Sequence, residues 1–252
     1  MKLLASDFDN TLAFVDIGIK DTDIKAIKSF QEKGHIFGIC SGRPLHSILH
    51  ESKKYGFRND FIIVNSGSVI ADGNGKILFE RKIPYNLVKE IHKTVQVNLS
   101  IVLNDHFYFI YPLPDLLFPG IYLDSLDEID PEEVSGFSFH YQEGEEEMAE
   151  ETCQMINRVY KNQLSAFRNG IHVDVAGRDC SKGKAFLKVG EMFKADHEDL
   201  AGIGDSFNDL TLLEVCHHRF TFPYAPNVLK ETSTDIVDSV ADAVQHLCLI
   251  DK

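Results

Sequence analysis

Short apolar runs alternate with helical patterns along the first third of the chain, and this alternation restricts the fold more than any other feature. Residues 2–8, 35–40 and 61–64 are apolar strand candidates, whereas residues 21–34 and 45–56 have the spacing of amphipathic helices. Continuous apolar strands separated by helices are typical of a parallel sheet that is covered on both faces. The sequence therefore predicts an α/β domain with a Rossmann-like parallel sheet and helices on both faces.

The pattern changes after the third strand candidate. Residues 68–84 alternate around Asp72-Gly73-Asn74-Gly75, which predicts a hairpin. An α+β pattern follows, and the first pattern returns after residue 177. We therefore expect an α/β core of residues 1–84 and 178–252, interrupted by an inserted α+β domain of residues 85–177. Beyond the hairpin, the predicted helices are residues 85–97, 145–162, 184–193, 210–215 and 240–249, and the predicted strands lie in residues 100–111, 137–141, 164–175 and 200–203.

Two aspartates directly follow the first apolar run. Asp7 and Asp9 flank Phe8, so on a strand their side chains share one face. The carboxyl end of such a strand is where open α/β sheets bind ligands. Carboxylates this close repel each other unless a cation lies between them or one of them holds a proton. On these residues alone, a polar turn is as good an interpretation as a site.

Polar residues follow the other strand candidates in the same way. Ser41 and Gly42 come after the second candidate, where free N–H groups at a helix start attract anions, although capping of that helix by Ser41 explains the hydroxyl as well. Asn65 follows the third candidate, and there a turn is the better interpretation. Lys182 opens the helix after the insert, where a cation opposes the helix dipole unless an anion offsets it, although on this residue alone an ordinary surface lysine is the better interpretation.

A second acidic group follows the apolar run of residues 200–203. Asp205 directly follows a turn that contains glycine, and Asn208 and Asp209 lie within one helical turn of Asp205. Together the strand ends supply a carboxylate pair, a hydroxyl, a lysine and an acidic cluster at one edge of the sheet. This inventory suits phosphoryl transfer, which needs a cation held by carboxylates, donors for the phosphoryl oxygens and an in-line nucleophile.

The charge of the chain limits its partners. There are 25 Lys and Arg against 39 Asp and Glu, and the net charge of −14 argues against nucleic acid or an anionic membrane surface as a broad electrostatic partner. The five cysteines include no C-x-x-C pair, so neither a disulfide framework nor a zinc site is indicated. No apolar run is long enough for a signal peptide or a membrane span. We expect a cytoplasmic protein.

The motifs together resemble those of the haloacid dehalogenase superfamily of phosphohydrolases, and most closely its Cof-type (class IIB) branch. The segment D-F-D-N-T at residues 7–11 looks like the first motif and S-G-R at residues 41–43 like the second. S-K-G-K-A at residues 181–185 looks like the third, and G-D-S-F-N-D at residues 204–209 like the fourth. The resemblance covers the core and implies a large cap inserted after the third strand, which in this family selects the substrate.

Carried onto this sequence, the resemblance implies an aspartyl-phosphate mechanism. Asp7 would be the nucleophile, and Asp9 the acid that protonates the leaving group and then activates water. Mg²⁺ would be held by Asp7, by the backbone carbonyl of Asp9 and by Asp205. The remaining implied roles are binding of the phosphoryl group by Ser41, Gly42, Lys182 and Asn208, and support of the metal ligands by Asp209.

The sequence departs from the family pattern at three places. Asn10 replaces a usual glycine, Asn65-Ser66-Gly67 replaces asparagine-glycine-alanine, and Ala225-Pro226-Asn227 replaces glycine-asparagine-alanine, so no role is predicted for Asn227. The leading hypothesis is a Mg²⁺-dependent phosphatase that acts on a small phosphorylated metabolite such as a sugar phosphate. A sugar phosphomutase and a non-catalytic phosphometabolite-binding module remain alternatives, and no oligomeric state is predicted.

Overall fold

A computed structural model describes residues 1–110 and 120–250, so Tyr111 and the last two positions of the predicted core lie outside the described residues. The helices in this part are α1 (Asp21–Glu32), α2 (Leu45–Tyr55), α3 (Tyr85–Val95), α4 (Glu146–Val159), α5 (Lys182–Phe193), α6 (Leu210–Glu214), α7 (Asn227–Thr232) and α8 (Val240–Ile250). The strands are β1 (Leu3–Ser6), β2 (Ala13–Phe14), β3 (Gly18–Ile19), β4 (Ile36–Cys40), β5 (Phe61–Val64), β6 (Val69–Asp72), β7 (Ile77–Glu80), β8 (Ile83–Pro84), β9 (Asn98–Leu103), β10 (His106–Ile110), β11 (Ile121–Leu123), β12 (Glu133–Val134), β13 (Gly136–His140), β14 (Leu164–Asn169), β15 (His172–Gly177), β16 (Leu200–Ile203), β17 (His218–Thr221) and β18 (Asp235–Ile236).

Eight strands form the larger sheet, in the order β18-β17-β16-β1-β4-β5-β6-β7. The strands from β18 to β5 run parallel to their neighbours. The strands β6 and β7 add the antiparallel hairpin that the turn around Gly73 predicts. The predicted α/β sheet is confirmed, with an antiparallel edge.

Helices cover both faces of this sheet, as predicted. One face packs against α1, α2 and α8, and the other against α5 and α6. Side chains alternate along β1, so Leu4 joins the first apolar cluster while Leu3 and Ala5 join the second. Each large apolar side chain that is fully buried in this way contributes roughly 1.5–3 kcal/mol.

A second sheet has the order β11-β10-β9-β13-β15-β14, and we call it, together with α3 and α4, the cap. Its pairs are antiparallel except for β10 with β11. The helices α3 and α4 pack on one face, where Ile91 and Ile156 are fully buried. Ile83 in β8 also joins this apolar cluster, so packing of the cap begins just before the predicted domain boundary at residue 84, which stays a prediction.

Several strands were missed by the sequence patterns. The polar pair His218 and Arg219 begins β17, so no apolar run marks that strand, and β18 has only two residues. The pair β2 and β3 is equally short. Predicted helices also run too far: α1 ends at Glu32 rather than at residue 34, and α4 ends at Val159 rather than at residue 162.

Candidate active site

Neighbouring parallel strands of the larger sheet end at one edge, and each is followed by polar residues. In strand order, Asp7 after β1 lies between Asp205, which follows β16, and Ser41, which follows β4. The turn Asn65–Gly67 follows β5, the next strand along. Because the carboxyl ends of parallel strands meet at one edge, the fold brings these predicted site residues together.

Lys182 is the buried cation of the site, with 1% of its side chain exposed. Ser181 caps α5 by accepting a hydrogen bond from the backbone N–H of Lys184, which leaves Lys182 at the first position of the helix. Its Nζ donates to Oδ1 of Asp7 and to Oδ1 of Asp209, both at 2.6 Å. Burial disfavours the ammonium, but Asp209 and Asp7 outweigh it and raise the pKa of Lys182. The anions that this position requires are therefore carboxylates of the chain itself.

Asp209 is fully buried and organises the loop after β16. Its Oδ2 accepts the backbone N–H groups of Asp205 and Ser206, each at 3.0 Å, while its Oδ1 binds Lys182. A Cβ at Gly204 would lie 2.4 Å from the carboxyl carbon of Asp209, so only glycine leaves room there. Since both oxygens of Asp209 accept hydrogen bonds, this residue suits a supporting role for the loop.

Three carboxylates converge beside that lysine. Asp7, Asp205 and Asp209 each place one oxygen within 4.8 Å of the others. Burial, and then repulsion by Asp209, raises the pKa of Asp7 even though Lys182 opposes the shift, and the same two causes raise the pKa of Asp205 to about 6. Thr11 donates to Oδ1 of Asp205 at 2.6 Å. An oxygen-only group with excess negative charge fits a hard divalent cation.

Two of the buried amide oxygens that have no hydrogen-bond partner among the described residues belong to residues at this edge. Asn208 and Asn65 are buried, and the Oδ1 atom of each has no hydrogen-bond partner within the described part of the chain. An unpaired buried acceptor costs about 1–3 kcal/mol. Both follow strands that end at the site edge, so a bound ion, water or substrate group there would offset this cost. Asn227, for which no role is predicted, is exposed at the start of α7.

The side chain of Asp9 is not among the three converging carboxylates and pairs with Arg43 instead. The Arg43 guanidinium holds both of its oxygens, with Nε 2.8 Å from Oδ2 and Nη2 bonded to Oδ1. The same guanidinium lies over the Phe8 ring, 4.7 Å from its centroid. The side chain of Asp9 is 47% exposed, whereas that of Asp7 is 9% exposed. Arg43 stands in a recognised motif, but the sequence carried no signal for this pairing across two loops.

Ser41 does not cap α2, so that simpler interpretation is wrong. The helix begins after its N-cap residue Pro44, and Oγ of Ser41 instead accepts the backbone N–H of Arg43 at 3.1 Å. The carbonyl of Ser41 accepts the backbone N–H of Ser66 at 3.2 Å. The loop that contains Ser41 and Gly42 is therefore joined to the turn after β5.

The turn after β5 has an unusual backbone. Asn65, Ser66 and Gly67 all have positive φ, at 49°, 52° and 94°. A Cβ at Gly67 would lie 2.3 Å from the carbonyl oxygen of Ser181, so this turn packs directly on the start of α5. That contact fixes the helix of Lys182 against the loop of Ser41.

The cap reaches the same edge through residues that the sequence did not single out. Oδ2 of Asp174 in β15 accepts a hydrogen bond from Oγ of Ser66 at 3.4 Å. A Cβ at Gly42 would lie 3.0 Å from that same oxygen. Oδ1 of Asn169 accepts a hydrogen bond from Oγ of Ser206 at 2.8 Å. Sequence patterns predicted Asp174 and Asn169 only as strand and turn positions. Such patterns do not indicate which side chains of the cap contact the core.

A Rossmann-like sheet that ends in an acidic cluster and a buried lysine, with the cap in contact with the same edge, is an arrangement that suits a hydrolase. The model of the haloacid dehalogenase-like hydrolase family matches residues 4–246, and the chain belongs to this family. The resemblance that the four motifs indicated is thereby confirmed. No helix in the described ranges is both long and apolar enough to cross a membrane.

Similar proteins agree with this assignment over nearly the whole chain. A 5-amino-6-(5-phospho-D-ribitylamino)uracil phosphatase of Bacillus subtilis is 25% identical over 99% of this chain and 96% of its own length. An HMP-PP phosphatase of Yersinia pseudotuberculosis is 26% identical over 84% of this chain and 80% of its own. The solved structure of a haloacid dehalogenase-like hydrolase from B. subtilis superimposes with a TM-score of 0.88, at 18% identity, over 98% of this chain and all of that one.

Proposed function

We propose that this protein is a Mg²⁺-dependent phosphatase that hydrolyses small phosphomonoesters through a phosphorylated Asp7. The observation that carries the proposal is the position of Asp7 at the end of β1, bonded to buried Lys182 and within reach of Asp205. The two relatives named above are both phosphatases by name, which supports the same reaction class.

Asp7 acts as the nucleophile. One of its oxygens attacks phosphorus and forms a P–O bond, while the P–O bond to the alcohol breaks. Lys182 favours the charged form of Asp7 that attack requires, against the burial and the repulsion by Asp209 that raise the pKa of Asp7. An ammonium has three donors, and Asp7 and Asp209 use two of them, so the third is available to a phosphoryl oxygen.

Asp9 transfers the protons. As a carboxylic acid it gives its proton to the departing alkoxide, and as a carboxylate it then takes a proton from the water that attacks phosphorus. That second step releases inorganic phosphate and restores Asp7. Because Arg43 pairs with the charged form of Asp9, the acid step requires this pair to loosen.

Asp7, Asp205 and the backbone carbonyl of Asp9 would hold the metal ion, with Asp209 orienting the loop. When bound, Mg²⁺ offsets the negative charge of the carboxylates and of the phosphoryl oxygens. Ser41, Gly42 and Asn208 complete the proposed phosphoryl-binding set. The raised pKa of Asp7 and Asp205 is the expected cost of gathering carboxylates for a cation.

Hydrolysis of p-nitrophenyl phosphate tests the proposal. Turnover should require Mg²⁺ and should stop when the metal is chelated. Asp7→Asn should lose activity by several orders of magnitude while its melting temperature stays at or above that of the wild type, because a buried and repelled charge is removed.

Asp238→Asn, an exposed aspartate before α8, is the matched control and should behave as the wild type. Retained activity in Asp7→Asn would overturn the proposal. Isomerisation of a hexose phosphate without release of free phosphate would instead identify a mutase.

A further inference from the structure

One face of the cap sheet is polar and continues from the phosphoryl-binding edge. Ser138 pairs with Ser100 on one side and with Asp174 on the other, and His140 pairs with His172. Their neighbours along each strand pack into the apolar cluster beneath α3 and α4. Since side chains alternate along a strand, this set points away from those helices. We call Ser100, Ser138, His140, His172 and Asp174 the polar face of the cap.

Asp174 is where the polar face meets the core. Its Oδ2 accepts from Ser66 at 3.4 Å and lies beside Gly42, while its Oδ1 accepts from Oγ of Ser138 at 2.8 Å. A carboxylate therefore stands next to the loop proposed to bind the phosphoryl group. It is held there by hydroxyl groups and has no cationic partner among the contacts described.

The two histidines add donors and acceptors rather than charge. Their Nδ1 atoms lie 3.0 Å apart, so one must donate and the other accept, and the ring of His140 also contacts Oγ of Ser100 at 2.7 Å. Burial, and then His172, lowers the pKa of His140 to about 3, and burial also lowers the pKa of His172. Near neutral pH the pair is uncharged.

Three cations described near this edge of the sheet are already paired with carboxylates. Lys182 binds Asp7 and Asp209, and Arg43 binds Asp9. Arg168 lies over the Phe207 ring at 4.0 Å and binds Glu150 at 2.8 Å. A second anionic group of a substrate that lies against the polar face would thus meet Asp174 and neutral side chains.

We propose that the polar face binds the hydroxyl groups of a neutral polyol or sugar leaving group, and that Asp174 excludes substrates with a second anionic group. This inference rests on the proposed phosphatase function and narrows its substrate class. Hydroxyl groups suit the site because they donate to Asp174 and exchange hydrogen bonds with serine and neutral histidine. A carboxylate or second phosphate there would be desolvated beside a like charge.

The test compares two substrates of equal length that differ at one end, sorbitol 6-phosphate and 6-phosphogluconate. For the wild type, kcat/KM should favour the neutral polyol by about tenfold or more, given the cost of juxtaposed like charges. Asp174→Asn keeps the shape and removes the charge, and a serine hydroxyl can accept from the new amide N–H, so the preference should shrink to within about threefold. Ser138→Ala should lower kcat/KM for the polyol without improving the value for 6-phosphogluconate.

Asp124→Asn, an exposed aspartate elsewhere in the cap, is the control and should keep the wild-type preference. Melting temperatures verify that each variant is folded. Equal kcat/KM for the two substrates in the wild type, or an unchanged preference in Asp174→Asn, would overturn this inference alone if p-nitrophenyl phosphate is still hydrolysed. Failure to hydrolyse any phosphomonoester would overturn it together with the proposed function.

Discussion

Lys182 connects the proposed nucleophile to the loop that carries Asp205. The place of this lysine at a helix start made a nearby anion one of two interpretations, but it did not indicate that the anions are Asp7 and Asp209, which lie 175 and 27 residues away along the chain. The pairing depends on the strand order β16-β1-β4, which patterns along a single sequence do not encode. The residue types of the site were therefore predictable, whereas their partners were not. Arg43 is the clearest example of an unpredicted partner, since nothing in its motif indicates that it pairs with Asp9.

Also at the scale of single residues, Asp9→Asn should slow the hydrolysis of phosphate esters by a factor that depends on the leaving group. General acid catalysis contributes roughly 10²–10⁴-fold, so hydrolysis of an alkyl phosphate should fall by about that factor. A nitrophenolate leaves without a proton, so the first step with p-nitrophenyl phosphate should be nearly intact. Because Asp9 also activates water, that substrate should give a burst of nitrophenol in rapid mixing. Equal losses for the two substrates and no burst would refute the role of Asp9.

The carboxylates also predict how pH and Mg²⁺ act on stability. The pKa of Asp205 in the folded chain is about 6, above its usual 3.8, so the folded state binds the proton more tightly. Without metal, this group favours folding at low pH, and that contribution is lost as pH rises through about 6. Mg²⁺ binds the ionised form, so it should raise the melting temperature more at about pH 7.5 than at about pH 5. Thermal scans with and without Mg²⁺ measure this, and equal shifts at both pH values would contradict it. Asp205→Asn should show little shift at either.

At the scale of elements, the strongly patterned strands and helices were predictable and the short or polar ones were not. The apolar strands β1, β4, β5 and β16 and the hairpin of β6 and β7 follow directly from the sequence. The strand β17 was not predictable, because it begins with the polar residues His218 and Arg219 and no apolar run marks it. In the structure β17 pairs with β16 in parallel, and a pattern along the sequence does not indicate which strands pair.

Close packing of α5 on α6 gives a test of how an element positions a site residue. A Cβ at Gly183 would lie 1.8 Å from the carbonyl oxygen of Thr211, and backbone cannot yield there. Gly183→Ala should therefore cost about 1–3 kcal/mol of unfolding free energy, and it should lower kcat further because Lys182 is displaced. Gly190→Ala in the same helix is the control, since its Cβ would meet the flexible side chain of Leu200 at 3.3 Å. Urea unfolding and p-nitrophenyl phosphate turnover give both readouts, and similar behaviour of the two variants would contradict this account.

At the scale of the whole molecule, the sequence predicted a core with an insert but not how the two meet. Contacts such as Asp174 with Ser66 and Asn169 with Ser206 depend on the relative position of two sheets, which no repeat or motif specifies. The net charge of −14 acquires a more specific meaning. A few of the carboxylates converge beside one buried lysine, and there a divalent cation would reverse the local sign. Under the proposed function, an acidic protein would therefore bind a phosphate ester at this edge.

The central claim is that Asp7 carries the phosphoryl group during turnover, and chemical trapping tests it most directly. The protein is mixed with Mg²⁺ and p-nitrophenyl phosphate, quenched in acid, and treated with borohydride, which reduces an acyl phosphate but not a free carboxylate. Peptide mass spectrometry then locates the reduced residue. We predict reduction at Asp7 alone, more of it in Asp9→Asn, and none without substrate. Reduction at another residue, or steady hydrolysis with Asp7 unmodified in both proteins, would contradict the account.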